Sequence, residues 1–140
     1  MGVMDRMRVL VVDDEPDIVR ELAVLLRRRG FAVNTAESVS GARKVLADGP
    51  LPHAIVSDVR MLDGSGLELL DDDLGETPPC IIYVSGHLDG AEAKAVVKRG
   101  ALAVLPKPVD TRRLVGLLRE HGTRAQRRIN EANVEPSAVK

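Results

Sequence analysis

Residues 8–16 read Arg-Val-Leu-Val-Val-Asp-Asp-Glu-Pro, and their order decides the fold class. Val9 to Val12 form a continuous apolar run of strand length, without the polar alternation of a half-exposed strand. Such a run suits a strand covered on both faces, as in a parallel sheet. Asp13 and Asp14 end it abruptly, and Pro16 stands where a helix begins, its fixed φ suiting the first helical turn. Ile18, Leu22, Leu25 and Leu26 follow at helical spacing, and Gly30 marks the stop. The unit is a buried strand, an acidic strand end and an amphipathic helix.

The unit recurs along the chain. Further apolar runs lie at Phe31 to Ala36, Ala54 to Val56, Ile81 to Val84 and Ala103 to Leu105. Asn34 and Thr35 make the second run mixed, as at a sheet edge. Helical patterns fill the gaps: Ser38 to Asp48 with Ala42, Val45 and Leu46 inward, a short helix from Ser65 using Leu67 and Leu70, then Asp89 to Arg99 and Asp110 to His121. Gly49, Gly100 and Gly122 occupy helix-ending positions. Strand and helix alternate five times, which predicts an α/β fold, a doubly wound five-stranded parallel sheet with five flanking helices. In the flavodoxin-like order 2-1-3-4-5, the first and third strands are neighbours.

At 140 residues and 44% apolar content the chain supports one buried core. Residues 7–121 are expected to form it, and 122–140 to be a polar basic tail or linker, without an apolar stripe. The charge is nearly balanced, with 20 basic and 21 acidic residues, against a dedicated nucleic-acid or membrane-surface binder. Seven of the basic residues but three of the acidic ones lie beyond Asp110, so the tail is basic and the body acidic. The tail has no aromatic residues or recognition helix, so direct nucleic-acid binding is not expected of it. Cys80 is the sole cysteine, which excludes an intrachain disulfide and suggests a buried thiol in a reducing, cytoplasmic compartment. No apolar run approaches membrane-spanning length, and no signal-peptide pattern opens the chain.

The chemistry gathers at strand ends. Asp13 and Asp14 follow the first strand and Asp58 follows the third, while Ser85 ends the fourth and Lys107 the fifth. Ligands of doubly wound sheets bind outside the carboxyl ends of the strands, where the winding reverses. Neighbouring strands lie about 4.8 Å apart, so Asp14 and Asp58 could share one cation. Three carboxylates that close ionise together favourably only around a cation, and oxygen-only ligands select a hard ion, Mg²⁺ before Zn²⁺. A carboxylate can attack phosphorus to form an aspartyl phosphate, and phosphoryl transfer needs chiefly positioning and positive charge, which Mg²⁺ and Lys107 would supply.

Val-Val-Asp-Asp-Glu-Pro at 11–16, Ile-Val-Ser-Asp-Val-Arg-Met at 55–61, Tyr-Val-Ser-Gly at 83–86 and Leu-Pro-Lys-Pro at 105–108 together resemble the receiver domains of two-component response regulators. The resemblance covers roughly residues 7–121. It implies that Asp58 accepts a phosphoryl group from a histidine kinase or phosphotransfer protein. It also implies that Asp14 binds Mg²⁺ directly, Asp13 mostly through water, and the backbone carbonyl of Arg60 completes the metal shell. Ser85 and Lys107 would contact the phosphoryl group, and the Lys107–Pro108 peptide would be cis. An output partner or effector domain belongs to the same expectation; a homodimer is compatible with the sequence, which does not set the oligomeric state.

The chain departs from the family pattern at several places. Val104 stands where an aromatic side chain usually swings on activation, Leu62 replaces a proline after the acceptor, and Gly86 replaces alanine after Ser85. Gly66 keeps the small-residue position. Arg60 and His87, two residues past Asp58 and Ser85, occupy positions that tune water access, and a large Arg60 predicts slow self-dephosphorylation.

Residues outside the pocket have plainer readings: Arg27 to Arg29 complement the end of the first helix, Asp71 to Asp73 form a solvated acidic run, and His53 and His121 lie at the surface. Two other functions compete with the switch. A phosphorylation-independent adaptor is compatible with Val104. A Mg²⁺-dependent phosphatase of the haloacid-dehalogenase type would want Asp-x-Asp after the first strand, where this chain has adjacent acids, and room for a cap. Nucleotide binding lacks its glycine-rich loop.

Overall fold

The computed structural model describes residues 6–133, with side chains through residue 122. In chain order it comprises β1 (Arg8–Val12), α1 (Pro16–Arg28), β2 (Ala32–Ala36), α2 (Val39–Asp48) and β3 (Ala54–Asp58). A short antiparallel ribbon follows, β4 (Arg60–Met61) with β5 (Gly64–Ser65), and then a 3-10 helix at Gly66–Asp71. β6 (Cys80–Ser85), α3 (Gly90–Lys98), β7 (Ala103–Pro106) and α4 (Thr111–Asn133) complete it. The five-stranded sheet is parallel throughout, in the order β2-β1-β3-β6-β7, the expected doubly wound order. The polar second run is indeed an edge strand, with Asn34 and Thr35 exposed.

Alternation along each strand divides the core into two layers. Val9, Val11, Val56, Ile82 and Leu105 pack against Leu22 and Leu26 of α1 and Leu114 and Leu118 of α4. Leu10, Val12, Ile55, Ile81 and Tyr83 face the other way, onto Ala42 and Leu46 of α2, Leu69 of the 3-10 helix and Val96 of α3. Continuous apolar strands are therefore required by helices on both faces.

Local signals set the helix starts. Pro16 opens α1, and Ser38 caps α2 by accepting the Gly41 N–H at 2.9 Å. Capping boxes close the 3-10 helix through Ser65 and Glu68 and α3 through Asp89 and Glu92. Gly30 and Gly100 follow α1 and α3 with φ of 97° and 120°, a conformation that side-chain-bearing residues resist.

Several expectations are corrected. The third helix is a single 3-10 stretch rather than an α-helix, and the fully buried side chain is Leu69, with Leu67 and Leu70 only half-buried. Gly122 does not end the last helix: α4 runs on to Asn133, and the Met7 sulfur lies 3.0 Å from where a Cβ at Gly122 would stand. His53 and His121 are half-buried rather than at the surface, and the His53 Nδ1 accepts the Arg8 N–H at 2.9 Å while the His53 backbone N–H donates to the Arg8 carbonyl. Cys80 is half-buried rather than buried.

The acidic run at 71–73 is not merely solvated. Asp72 takes two hydrogen bonds from the Arg43 guanidinium of α2, at 2.9 and 3.1 Å, and Asp71 pairs with Arg99 at the end of α3 at 3.2 Å. These arginines offset the unfavourable placement of acids at a helix C-terminus. Of the arginine run, Arg27 donates to the Val33 carbonyl at 2.8 Å, so it ties α1 to β2.

Candidate functional site

Sheet register gathers the predicted residues. Val12 stands opposite Ser57, Asp58 opposite Val84, and Ser85 opposite Pro106, so Asp13, Asp58, Ser85 and Lys107 come to one carboxyl edge. Asp13 is held by its N–H donating to the Ala36 carbonyl at 3.2 Å, and its Oδ1 accepts the Glu15 N–H at 3.0 Å. Its Oδ2 is left for Lys107.

Lys107 reaches back across the sheet edge. Its N–H donates to the Ser85 carbonyl at 3.1 Å, and its Nζ lies 3.1 Å from Asp58 Oδ2 and 3.2 Å from Asp13 Oδ2. The side chains are 26%, 11% and 6% exposed for Lys107, Asp58 and Asp13, so these contacts are poorly screened by water. Burial by itself would depress the Lys107 ammonium, but the hydrogen bonds and charges of Asp58 and Asp13 outweigh it and hold the ammonium above its ordinary value. Lys107 is thus a fixed cation at neutral pH. The Lys107–Pro108 peptide is cis, as the resemblance implied.

Asp13, Asp14 and Asp58 each bring one oxygen within 4.8 Å of the others. One ammonium does not balance three carboxylates, and an all-oxygen donor set of that size fits a hard divalent cation. Ser85 is buried, and its Oγ accepts the His87 N–H at 3.1 Å. The Arg60 side chain is exposed in β4, two residues past Asp58. A cleft of about 580 Å³ is lined by Asp13, Asp58 and Lys107 together with Ile18, Leu22 and Val109.

Residues that sequence reasoning missed shape the loop after Asp58. The Ser57 hydroxyl donates to the Asp58 carbonyl at 2.8 Å, and Tyr83, wholly buried, donates its hydroxyl to the Gly66 carbonyl at 2.6 Å. Asp63 accepts the N–H groups of Val39 and Ser40 at 2.9 and 3.0 Å, pinning the loop to the start of α2. Those bonds hold the Asp63 carboxyl below its ordinary range. A lone tyrosine in a buried strand is the one signal that was available, since a buried phenol requires a partner. Val104 stands opposite Tyr83 in the β6–β7 register and is half-buried.

Comparison with known proteins places this geometry. The family model described as the response regulator receiver domain matches residues 9–119. The photosynthetic apparatus regulatory protein RegA of Cereibacter sphaeroides is 36% identical over 119 residues, covering 84% of this chain and 64% of RegA. The response regulator protein PilR of Pseudomonas aeruginosa is 40% identical over 114 residues, covering 79% of this chain and 25% of PilR. This chain therefore spans about two thirds of the one relative and a quarter of the other.

Among solved structures, a response regulator receiver protein from Pseudomonas putida superposes with a TM-score of 0.74 at 33% identity, over 82% of this chain and 97% of that one. A response regulator from Burkholderia pseudomallei, solved with a phosphorylated aspartic acid, calcium ion and citrate, gives 0.73 at 30% identity, over 93% and 75%. No helix among the described residues is long and apolar enough to cross a membrane. Sequence and sheet agree over nearly the whole described span, and the chain belongs to the response regulator receiver domains, phosphorylation-dependent switches of two-component signalling.

Proposed function

We propose that Asp58 is the phosphoacceptor of this switch, that Asp13, Asp14, Asp58 and the backbone carbonyl of Arg60 hold Mg²⁺, and that Ser85 and Lys107 bind the phosphoryl group. The observation that carries this reading is the Lys107 ammonium, 3.1 Å from Asp58 Oδ2 in a cluster of three carboxylates. Bound there, Mg²⁺ supplies positive charge against the phosphoryl oxygens. An Asp58 oxygen attacks phosphorus, a P–O bond forms, and the P–N bond to the donor histidine breaks. The imidazole nitrogen leaves with the bonding pair and takes up a proton. Lys107 then pairs with a phosphoryl oxygen, and the Ser85 hydroxyl donates to another. Attack by water on phosphorus later returns Asp58 and inorganic phosphate, so the chain catalyses only its own modification and its reversal.

The donor is a histidine kinase or phosphotransfer protein in the cytoplasm, and the altered surface changes the binding of an output partner or of a second copy of this chain. Residues 7–121 act as the receiver unit, and the basic segment 122–140 as its connector. The test is intact-protein mass after incubation with acetyl phosphate and Mg²⁺, beside Asp58→Ala and an EDTA control. One phosphoryl adduct that needs both Asp58 and Mg²⁺ supports the assignment. No adduct, with Mg²⁺ still bound, identifies an adaptor that keeps the pocket without the reaction.

A further inference from the structure

Tyr83 occupies a place in the structure that the chemistry above does not use. It is the chain's sole tyrosine, lies wholly buried, and sits in β6 two residues before Ser85. Alternation puts Tyr83 and Ser85 on the same side of the strand. The Tyr83 hydroxyl crosses from that strand to the Gly66 carbonyl. Among the described residues, no other side-chain hydrogen bond joins β6 to residues 59–71.

Gly66 is itself packed on the acceptor peptide. A Cβ at Gly66 would overlap the Asp58 carbonyl oxygen and lie 2.7 Å from Ser57 Oγ, and the Gly66 N–H donates to the Val59 carbonyl at 2.7 Å. Gly66 therefore lies directly against the Asp58 peptide. The far end of the 3-10 helix is anchored separately, by Asp71 on Arg99 and Asp72 on Arg43. At the near end Tyr83 supplies the tie to β6. A buried phenol needs some hydrogen-bond partner for its own sake. That need explains why a partner exists, but it leaves open why the partner is the glycine packed on the acceptor peptide.

We propose that Tyr83 is a positioning residue for phosphorylation, its hydroxyl fixing Gly66, and with Gly66 the loop packed on the Asp58 carbonyl, relative to the strand that carries Ser85. The proposal rests on the assignment of Asp58 as acceptor. Tyr83→Phe removes the hydroxyl and keeps the ring. Val104→Ala is the control, because it thins the packing opposite Tyr83 in register without touching the Gly66 bond.

Two readouts are made on the full chain, well below each variant's melting midpoint. The first is hydrogen exchange at the Gly66 amide without Mg²⁺ or phosphodonor. The second is the rate of adduct formation from acetyl phosphate with Mg²⁺, followed by mass. Loss of one hydrogen bond predicts about fivefold faster exchange and about fivefold slower phosphorylation in Tyr83→Phe. Val104→Ala is expected to melt earlier but to match wild type in both. Wild-type values in Tyr83→Phe, or equal slowing in Val104→Ala, overturn the proposal while leaving Asp58 in place. No adduct in wild type overturns the acceptor assignment, and the positioning role with it.

Discussion

Replacing Gly66 with alanine tests how tightly the acceptor loop is packed. Gly66 does not use the backbone freedom of glycine, since its φ is not among the positive ones. What it requires is space: the added methyl would overlap the Asp58 carbonyl and crowd Ser57 Oγ at 2.7 Å. Restoring ordinary contact distances needs a displacement on the order of 1 Å between the 3-10 helix and the end of β3. Overpacking of this kind costs about 1–3 kcal/mol. For a chain of this size that lowers the melting midpoint by roughly 8 °C at 2 kcal/mol. The same displacement moves the acceptor carboxylate relative to Ser85 and Lys107, and an error of that size slows a positioned reaction by up to about a hundredfold. Thermal melting by circular dichroism gives the first quantity and the mass-detected phosphorylation rate the second. A Gly66→Ala protein that melts within a degree of wild type and phosphorylates at the wild-type rate would refute the packing argument.

Three further outcomes are expected. Burial first, then the charges of Arg8 and His121, hold the His53 imidazole below its ordinary value. The unfolded chain therefore takes up that proton first, so this contribution is complete above about pH 6.5 and shrinks as pH falls through that value. The melting midpoint measured from about pH 7.5 to 5.5 should drop in wild type and drop less in His53→Gln; parallel curves would contradict the assignment. Burial pushes the Cys80 thiol up to about 12. Its reaction with an aromatic disulfide near pH 8 should be at least about a hundredfold slower in the native protein than in urea, and equal rates would show an accessible thiolate. Arg60→Ala should shorten the half-life of the Asp58 phosphoryl group if the exposed guanidinium limits water access, and an unchanged half-life excludes that shielding role.

The alternation of strand and helix was legible from local patterns, because continuous apolar runs and helical spacing depend on residues only a few positions apart. The chemical edge was legible for a related reason. In a parallel sheet every strand points the same way, so polar residues that end successive strands must meet at one edge. Asp13, Asp58, Ser85 and Lys107 could thus be brought together from one line of sequence, and the Lys107 contacts followed from the same register.

What the tertiary structure alone decided lies in contacts across long separations. Asp63 pins α2 from 24 and 23 residues away, Arg43 takes Asp72 across 29, Arg99 takes Asp71 across 28, and Arg8 donates to His53 across 45. No periodicity selects among the many acids and bases that could pair at such distances; the packing of α2, α3 and the 3-10 helix on the sheet selects them. Gly122 shows the same limit at shorter range. A glycine ends a helix only if the chain turns there, and the helix continues past this one beside Met7. Tyr83 and Gly66 are the clearest case. The sequence by itself determined a buried aromatic strand residue and a small residue after the acceptor, but only the folding of that loop onto β6 joined them through one hydrogen bond.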